Sequence, residues 1–343
     1  MTGAFARRSP AAVVLALGTI YVVWGSTYLG IRVTDRTLPP LLTSSARFLI
    51  AGAALYAFAS RGRARPTFRE WRAAAIAGAA LLLIGNGGVA WAETRLQSGL
   101  AALIVALIPL YVALGDRIIF GRRLSRAATI GLVIGFVGVA LLVRPGSGSD
   151  TFAALLLVAT TAGWSAGSLY SRGAPLPSSP LLSASMQMLA AGVFLGIAGM
   201  ATGEASDVHA TAFTTKALIA FAYLVVFGSL LAFSAYGWLL KNVRISVVST
   251  YAFVNPVVAV ILGTIFLDET IGWSTIVAGA SIVAAVVLIV TASPRYPGDD
   301  EELQSATGQA PLGGGVSRRD RARAGAVRAW RRALPAGARH GSC

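Results

Sequence analysis

Along most of the chain, long apolar runs alternate with short polar breaks. Ten of the runs come close to the roughly 20 mostly apolar residues that a helix needs to cross a bilayer core. They lie at about 11–31, 41–60, 72–91, 98–118, 126–143, 152–171, 181–201, 216–238, 246–266 and 272–291. The breaks leave little chain for a soluble domain, and the pattern predicts an all-α integral membrane protein with ten transmembrane helices. Inside the first run stands YVVWGSTYLGIR, residues 21–32. Burial in lipid alone gives no reason for Trp24, Gly25, Ser26, Thr27 and Tyr28 to occupy the middle of a span.

Composition agrees with this reading. Of 343 residues, 55% are hydrophobic and 13% charged, with mean hydropathy +0.70; an average soluble domain carries about 25% charged residues. The run after Arg7 and Arg8 continues beyond the length of a secretion signal, so it is read as an uncleaved first span. Cys343 is the sole cysteine and makes no intrachain disulfide.

A formal net charge of +15 invites a nucleic-acid reading, but the placement of the cations argues for a membrane instead. Arg7, Arg8, Arg61, Arg63, Arg65, Arg69, Arg72, Arg117, Arg122, Arg123 and Arg126 all fall on one side of the predicted bundle. The opposite loops carry fewer cations (Arg32, Arg36, Arg95, Arg144 and Lys216) together with Glu204, Asp207, Asp268 and Glu269. By the positive-inside rule both termini are expected in the cytoplasm of a multi-pass cell-membrane protein, with the lipid bilayer and no nucleic acid as partner.

The runs also repeat. Trp24, Arg32, Pro40 and Gly52 find Trp164, Arg172, Pro180 and Gly192 at an offset of 140, and beyond the second span Trp91, Gly99 and Pro109 find Trp238, Ser246 and Pro256 at 147. Two five-helix units are expected, 11–145 and 151–291. An odd number of spans per unit makes the second copy enter from the opposite face. Such inverted repeats are characteristic of secondary transporters, which hold substrate near the midplane between the repeats.

The stretches YVVWGSTYLGIR, SARFLIAG, IGNGGVAWAETRLQSGLAALIVALIPL and FGSLLAFSAYGWLLKNVRISVVSTYAFVNPVVAVILGTIFLDETI resemble the EamA-type transporters of the drug/metabolite transporter superfamily. The resemblance covers nearly all of 11–291. It implies two inverted five-helix repeats around a central cavity in an inner membrane, moving amino acids, other small metabolites or toxic compounds, often outward. One departure stands out. Many relatives carry an acidic residue after both the fourth and ninth helices; here Asp268 and Glu269 match Gly121 and Arg122.

Candidate site residues follow from polarity at membrane depth. Tyr21, Gly25, Tyr28 and Arg32 share one helix face with Trp24 beside them, forming either a substrate wall or a packing seam. Trp24 and Trp164 are open to the same two readings. Arg47 is a basic residue inside the second span, placed there by a cavity or gate or by snorkelling to the surface.

Asn86, among Gly85, Gly87 and Gly88, is a candidate for a substrate-facing stretch. Trp91, Tyr236 and Asn255 are further cavity candidates. Glu93 is an interfacial carboxylate, a gate or a proton-binding group, and Glu269, with Asp268, is expected to be solvated, with a coupling role as its alternative. Pro109 and Pro256, inside the fourth and ninth spans, are candidate hinges or fixed bends.

No HExxH, Walker sequence or Cys/His cluster is present, so no metal or cofactor is expected. Residues 292–343 read as a disordered tail whose basic end, around Val327, Trp330 and Leu334, is either solvated or laid on anionic lipid. Together these features predict a secondary exporter of a small solute, neutral or zwitterionic, of open oligomeric state. The alternatives are a sensory protein acting through the tail and, with only scattered carboxylates to support it, a membrane-embedded enzyme.

Overall fold

A computed structural model describes residues 10–120, 126–143, 150–243, 245–269 and 272–292. The helices are α1 (Pro10–Asp35), α2 (Pro40–Ala59), α3 (Phe68–Glu93), α4 (Ser98–Val105), α5 (Ile108–Phe120) and α6 (Arg126–Val143). They continue as α7 (Thr151–Gly173), α8 (Pro180–Ala201), α9 (Thr215–Asn242), α10 (Ile245–Val248), α11 (Tyr251–Leu267) and α12 (Trp273–Ala292). Among the described residues there is no strand.

Among the described residues, seven helical stretches are long and apolar enough to cross a membrane: those beginning at Ala11, Pro40, Phe68, Ser98, Thr151, Pro180 and Thr215. The other expected spans are helical too, as α6, α10 with α11, and α12. The outer surface is apolar: Ile197 is 62% exposed and Ile265 64%. Side chains of this kind, scattered around the whole bundle, suit lipid as the solvent.

Local chemistry starts and stops the helices. Thr67 and Glu70 form a capping box at the start of α3, and the Asp150 carboxylate accepts from the Ala153 amide (3.0 Å) at α7. Two caps come from distant chain. Glu204 accepts from the Leu41 and Leu42 amides (3.1 and 2.9 Å) at the start of α2. Glu269 accepts from the Ser98 amide and hydroxyl (2.8 Å each) and the Gly99 amide (3.3 Å) at the start of α4. The expectation that Glu269 is solvated is therefore corrected. A helix start carries unpaired N–H groups that favour a carboxylate.

Pro109 falls inside the fourth apolar span, Ser98–Gly115, at a break in its helix. It does not interrupt a continuous helix but stands second in α5, after a turn at 106–107. Its ring would meet the Val105 carbonyl, so α4 ends there. In the first turn of α5 its missing N–H costs nothing. Pro256 does lie inside its helix, α11.

α2 packs along α8 and α6 along α12; α1 lies against α9 and α11, while α7 lies against α3, α4 and α5. At the α2–α8 crossing a Cβ on Gly52 would sit 3.0 Å from Leu189, and one on Gly192 would sit 2.7 Å from Leu49. Glycine at both places lets the two helices approach. π-helical segments interrupt α3 at Ala79–Asn86 and α9 at Leu224–Phe233.

Candidate functional site

The serine and threonine hydroxyls that looked out of place in α1 are satisfied. Ser26 donates to the Val22 and Val23 carbonyls and lies 2.5 Å from the Tyr223 hydroxyl; Thr27 donates to Trp24 (2.7 Å). Back-bonding of this kind lets Ser and Thr sit in a membrane helix without an orphan donor.

Trp24, Thr27, Tyr28 and Ile31 line one cavity. The face chosen from the sequence is mostly a seam instead. Tyr21 meets the Thr250 hydroxyl at 2.5 Å, a Cβ on Gly25 would stand 2.7 Å from Val258, and Arg32 bonds to the Glu93 carbonyl. Only Tyr28 belongs to both faces.

The cavity, of about 60 Å³, is also lined by Arg47 and Phe48 of α2, Leu82, Gly85, Asn86 and Val89 of α3, Val105 and Ile108 of α4 and α5, Thr161 and Trp164 of α7, Gly228 and Phe233 of α9, and Tyr251 and Asn255 of α11. Trp24 is the hub of its aromatic wall. Its ring lies edge-on to Trp164 (centroids 5.4 Å) and Tyr251 (5.2 Å) and tilted to Tyr236 (4.9 Å), and its Nε1 donates to the Gly228 carbonyl (3.3 Å). The Asn255 amide, turned to satisfy its partners, donates to the Tyr21 and Tyr251 carbonyls at 3.0 and 3.1 Å. It holds α11 against α1 while facing the cavity.

Arg47 does not snorkel. It is 3% exposed, its Nε donates to Ser229 Oγ (2.7 Å), and its guanidinium carbon lies 4.9 Å from the Phe48 ring centroid.

Glu93 is fully buried just outside the lining, with both carboxylate oxygens lacking a partner among the described residues. The charges acting on it are Asp35, Arg32 and Glu269. Tyr236 backs the wall, its hydroxyl 2.6 Å from Ser168.

Trp91 is not brought to the cavity. It packs on Phe152 (6.0 Å) and under Arg95 (4.0 Å), which pairs with Asp150 at 3.6 Å. Glu269, Pro109 and Pro256 also stand outside the lining. Gly85 lines the cavity, where a Cβ would meet Trp164 at 2.8 Å, whereas Gly88 stands outside the lining, packed so that a Cβ would meet Thr160 at 2.5 Å.

Tyr251 and Gly228 were missed by the sequence reading. Tyr251 was findable, one turn before Asn255 on the same face; Gly228 carries no such signal. Gly121, Arg122 and the tail lie outside the described residues.

An all-helical bundle whose outer side chains are largely apolar, with a cavity among its described helices that is polar at a few points, is the architecture of an integral membrane protein. The comparisons make the class specific. The EamA-like transporter family matches residues 11–144 and again 151–291, and the chain belongs to this family.

Among its relatives is "Uncharacterized inner membrane transporter YedA" of Escherichia coli K12, 38% identical over 286 residues, 82% of this chain and 92% of that one. A "Probable terminal-alkyne amino-acid exporter" of Streptantibioticus cattleyicolor is 27% identical over 282 residues, 80% of this chain and 92% of that one. A crystal structure at 21% identity superimposes with TM-score 0.60, covering 82% of this chain and 96% of its own, which speaks for the fold alone. The chain is therefore a multi-pass membrane protein, and family and relatives indicate a transporter rather than an enzyme.

Proposed function

We propose that this protein is a secondary transporter that exports small, amino-acid-like metabolites or toxic compounds across the inner or plasma membrane by alternating access. In this reading it crosses the membrane ten times, as inverted five-helix units 11–145 and 151–291, with both termini cytoplasmic. The observation that carries it is the meeting of Trp24 and Trp164 at 5.4 Å in the wall of one cavity. Read as matched residues of the two units, they support a cavity at the repeat interface, the place where such transporters hold substrate.

Mirrored packing supports the same reading. α2 faces its counterpart α8, α6 faces α12, and the contacts of α1 with α9 and α11 are answered by those of α7 with α3 and with α4 and α5. The π segments at 79–86 and 224–233 overlap at the offset of 147. A relative named as an amino-acid exporter favours that substrate class.

Comparative metabolite profiling of the medium tests it. Cells overproducing the protein are set against cells making a Trp24→Ala, Asn86→Leu double variant at equal membrane abundance. Particular solutes are expected to accumulate outside only with the unaltered protein. Matching media and matching intracellular pools across a broad range of growth conditions would sink the export reading.

A further inference from the structure

Arg47 is the one charged side chain among the cavity's lining residues. It is 3% exposed, and Ser229 is the acceptor it has, through Nε at 2.7 Å. Nη1 is buried with no hydrogen-bond partner, and no described carboxylate lies within ion-pair reach; Asp35 acts on it only from farther away.

Gly228 makes room for the group, since a Cβ there would stand 2.8 Å from Nη2. A cation at this depth is expensive, and buried charges are ordinarily paired. Asn86 Oδ1, also buried, has no donor. Trp24, Phe48, Leu82 and Ile108 make the walls between them apolar.

We infer that Arg47 is the anion anchor for the transported solute: its free guanidinium edge takes a single carboxylate, Asn86 Oδ1 accepts from a donor group, and the apolar walls hold the body. The inference rests on the transport reading and adds the charge class of the substrate. One guanidinium, unaccompanied by a second cation in a cavity of about 60 Å³, suits a small monocarboxylate better than a doubly charged phosphate. A planar fork matches a carboxylate in two parallel bonds.

The test uses the purified full-length protein and a matched probe series: L-leucine, L-leucinamide and 4-methylpentanoate, extended to glycine, phenylalanine and their amides. Binding is read by ligand-induced thermal stabilisation and tryptophan fluorescence. Acids are expected to bind about tenfold or more tightly than the matching amides, the difference made by a charge-assisted hydrogen bond.

Arg47→Gln is expected to abolish that preference. Arg47→Lys should keep part of it, and Ser229→Ala should keep most, so the test survives if the Gln variant folds poorly. Equal binding of acids and amides, a preference that persists in Arg47→Gln, or no acid bound anywhere in the series would overturn the anchor.

Proteoliposomes separate the two readings. If exported solutes cross but carry no carboxylate, the anchor falls and transport stands. If acids bind through Arg47 and nothing crosses, the anchor stands as a binding site and transport falls.

Discussion

The guanidinium of Arg32 donates to the main-chain carbonyl of Glu93, fastening the end of α1 to the end of α3. Arg172 does the same for α7 and α9, donating to the Leu240 carbonyl at 3.3 Å and to Val243 at 3.1 Å. Arg172 is the counterpart of Arg32 and Leu240 that of Glu93, so one contact recurs in both proposed units. Its physical use is plain: a helix end leaves carbonyls without an internal partner, and a charged donor satisfies one.

The first prediction follows from this pair. Arg32→Gln should destabilise the protein by about 1–3 kcal/mol, the range for hydrogen bonds to charged groups, and Arg172→Gln by less, because Arg172 is exposed and water can take its place. Thermal unfolding in one detergent compares them with the parent. An unchanged melting temperature with impaired transport would instead assign Arg32 to the solute path.

Glu269 is predicted to act through stability. Its carboxylate closes the start of α4 from 171 residues away, and losing such a cap costs about 0.5–2 kcal/mol. Glu269→Ala should lower the melting temperature, Glu269→Gln should lower it less, and export per molecule in the membrane should hold. Export that collapses in a well-folded Glu269→Gln variant would reinstate a coupling role.

Two glycines give a contrast in packing. A Cβ on Gly88 would press to 2.5 Å on Thr160, whereas one on Gly18 meets nothing within 4 Å. Threonine is stiff about its first side-chain torsion, so Gly88→Ala should destabilise by about 1–3 kcal/mol, the usual cost of overpacking. Gly18→Ala should stabilise by up to about 1 kcal/mol, as expected inside a helix. Thermal melts of the two variants check both signs, and a neutral Gly88→Ala would mean that α3 and α7 are looser than their contacts imply.

What the sequence reveals here is what lipid demands along one helix at a time. Apolar runs must be long, so the helices are legible, and matched tryptophans, arginines and glycines expose the repetition. Neighbours are a different matter. Nothing local says that Glu269 will reach Ser98, because that partnership depends on how helices distant in the chain come together.

The α1 face at 21/25/28/32 stayed open between substrate wall and packing seam for the same reason. The 21/25/28/32 and 24/27/28/31 faces share Tyr28 and lie roughly a quarter turn apart, and the positions of α3 and α11 decide which one is packed. The π segments carry no compositional mark at all. Pro109 could have been read more closely, since proline at a helix start is as common a use as proline at a kink.

The last prediction separates cavity from periphery with two tryptophans that the sequence treated alike. Trp24 touches three aromatic rings and holds the Gly228 carbonyl beside Arg47. Trp91 is capped by Arg95 and packs on Phe152, away from the lining. Trp24→Ala removes the wall and also frees the backbone that positions Arg47, so export at equal membrane abundance should fall by about tenfold or more, the scale of losing a buried aromatic anchor. Trp24→Phe keeps a ring without the N–H, and it should recover part of the loss by restoring packing. Trp91→Ala should lower stability modestly and leave export per molecule within about twofold, because its Arg95 contact is exposed and exposed cation–π contacts are worth about 0.5–1 kcal/mol. Solute efflux from preloaded vesicles measures all three. If Trp91→Ala proves as damaging as Trp24→Ala, the solute path runs past the α3 end near Phe152 and the cavity around Trp24 is only part of it.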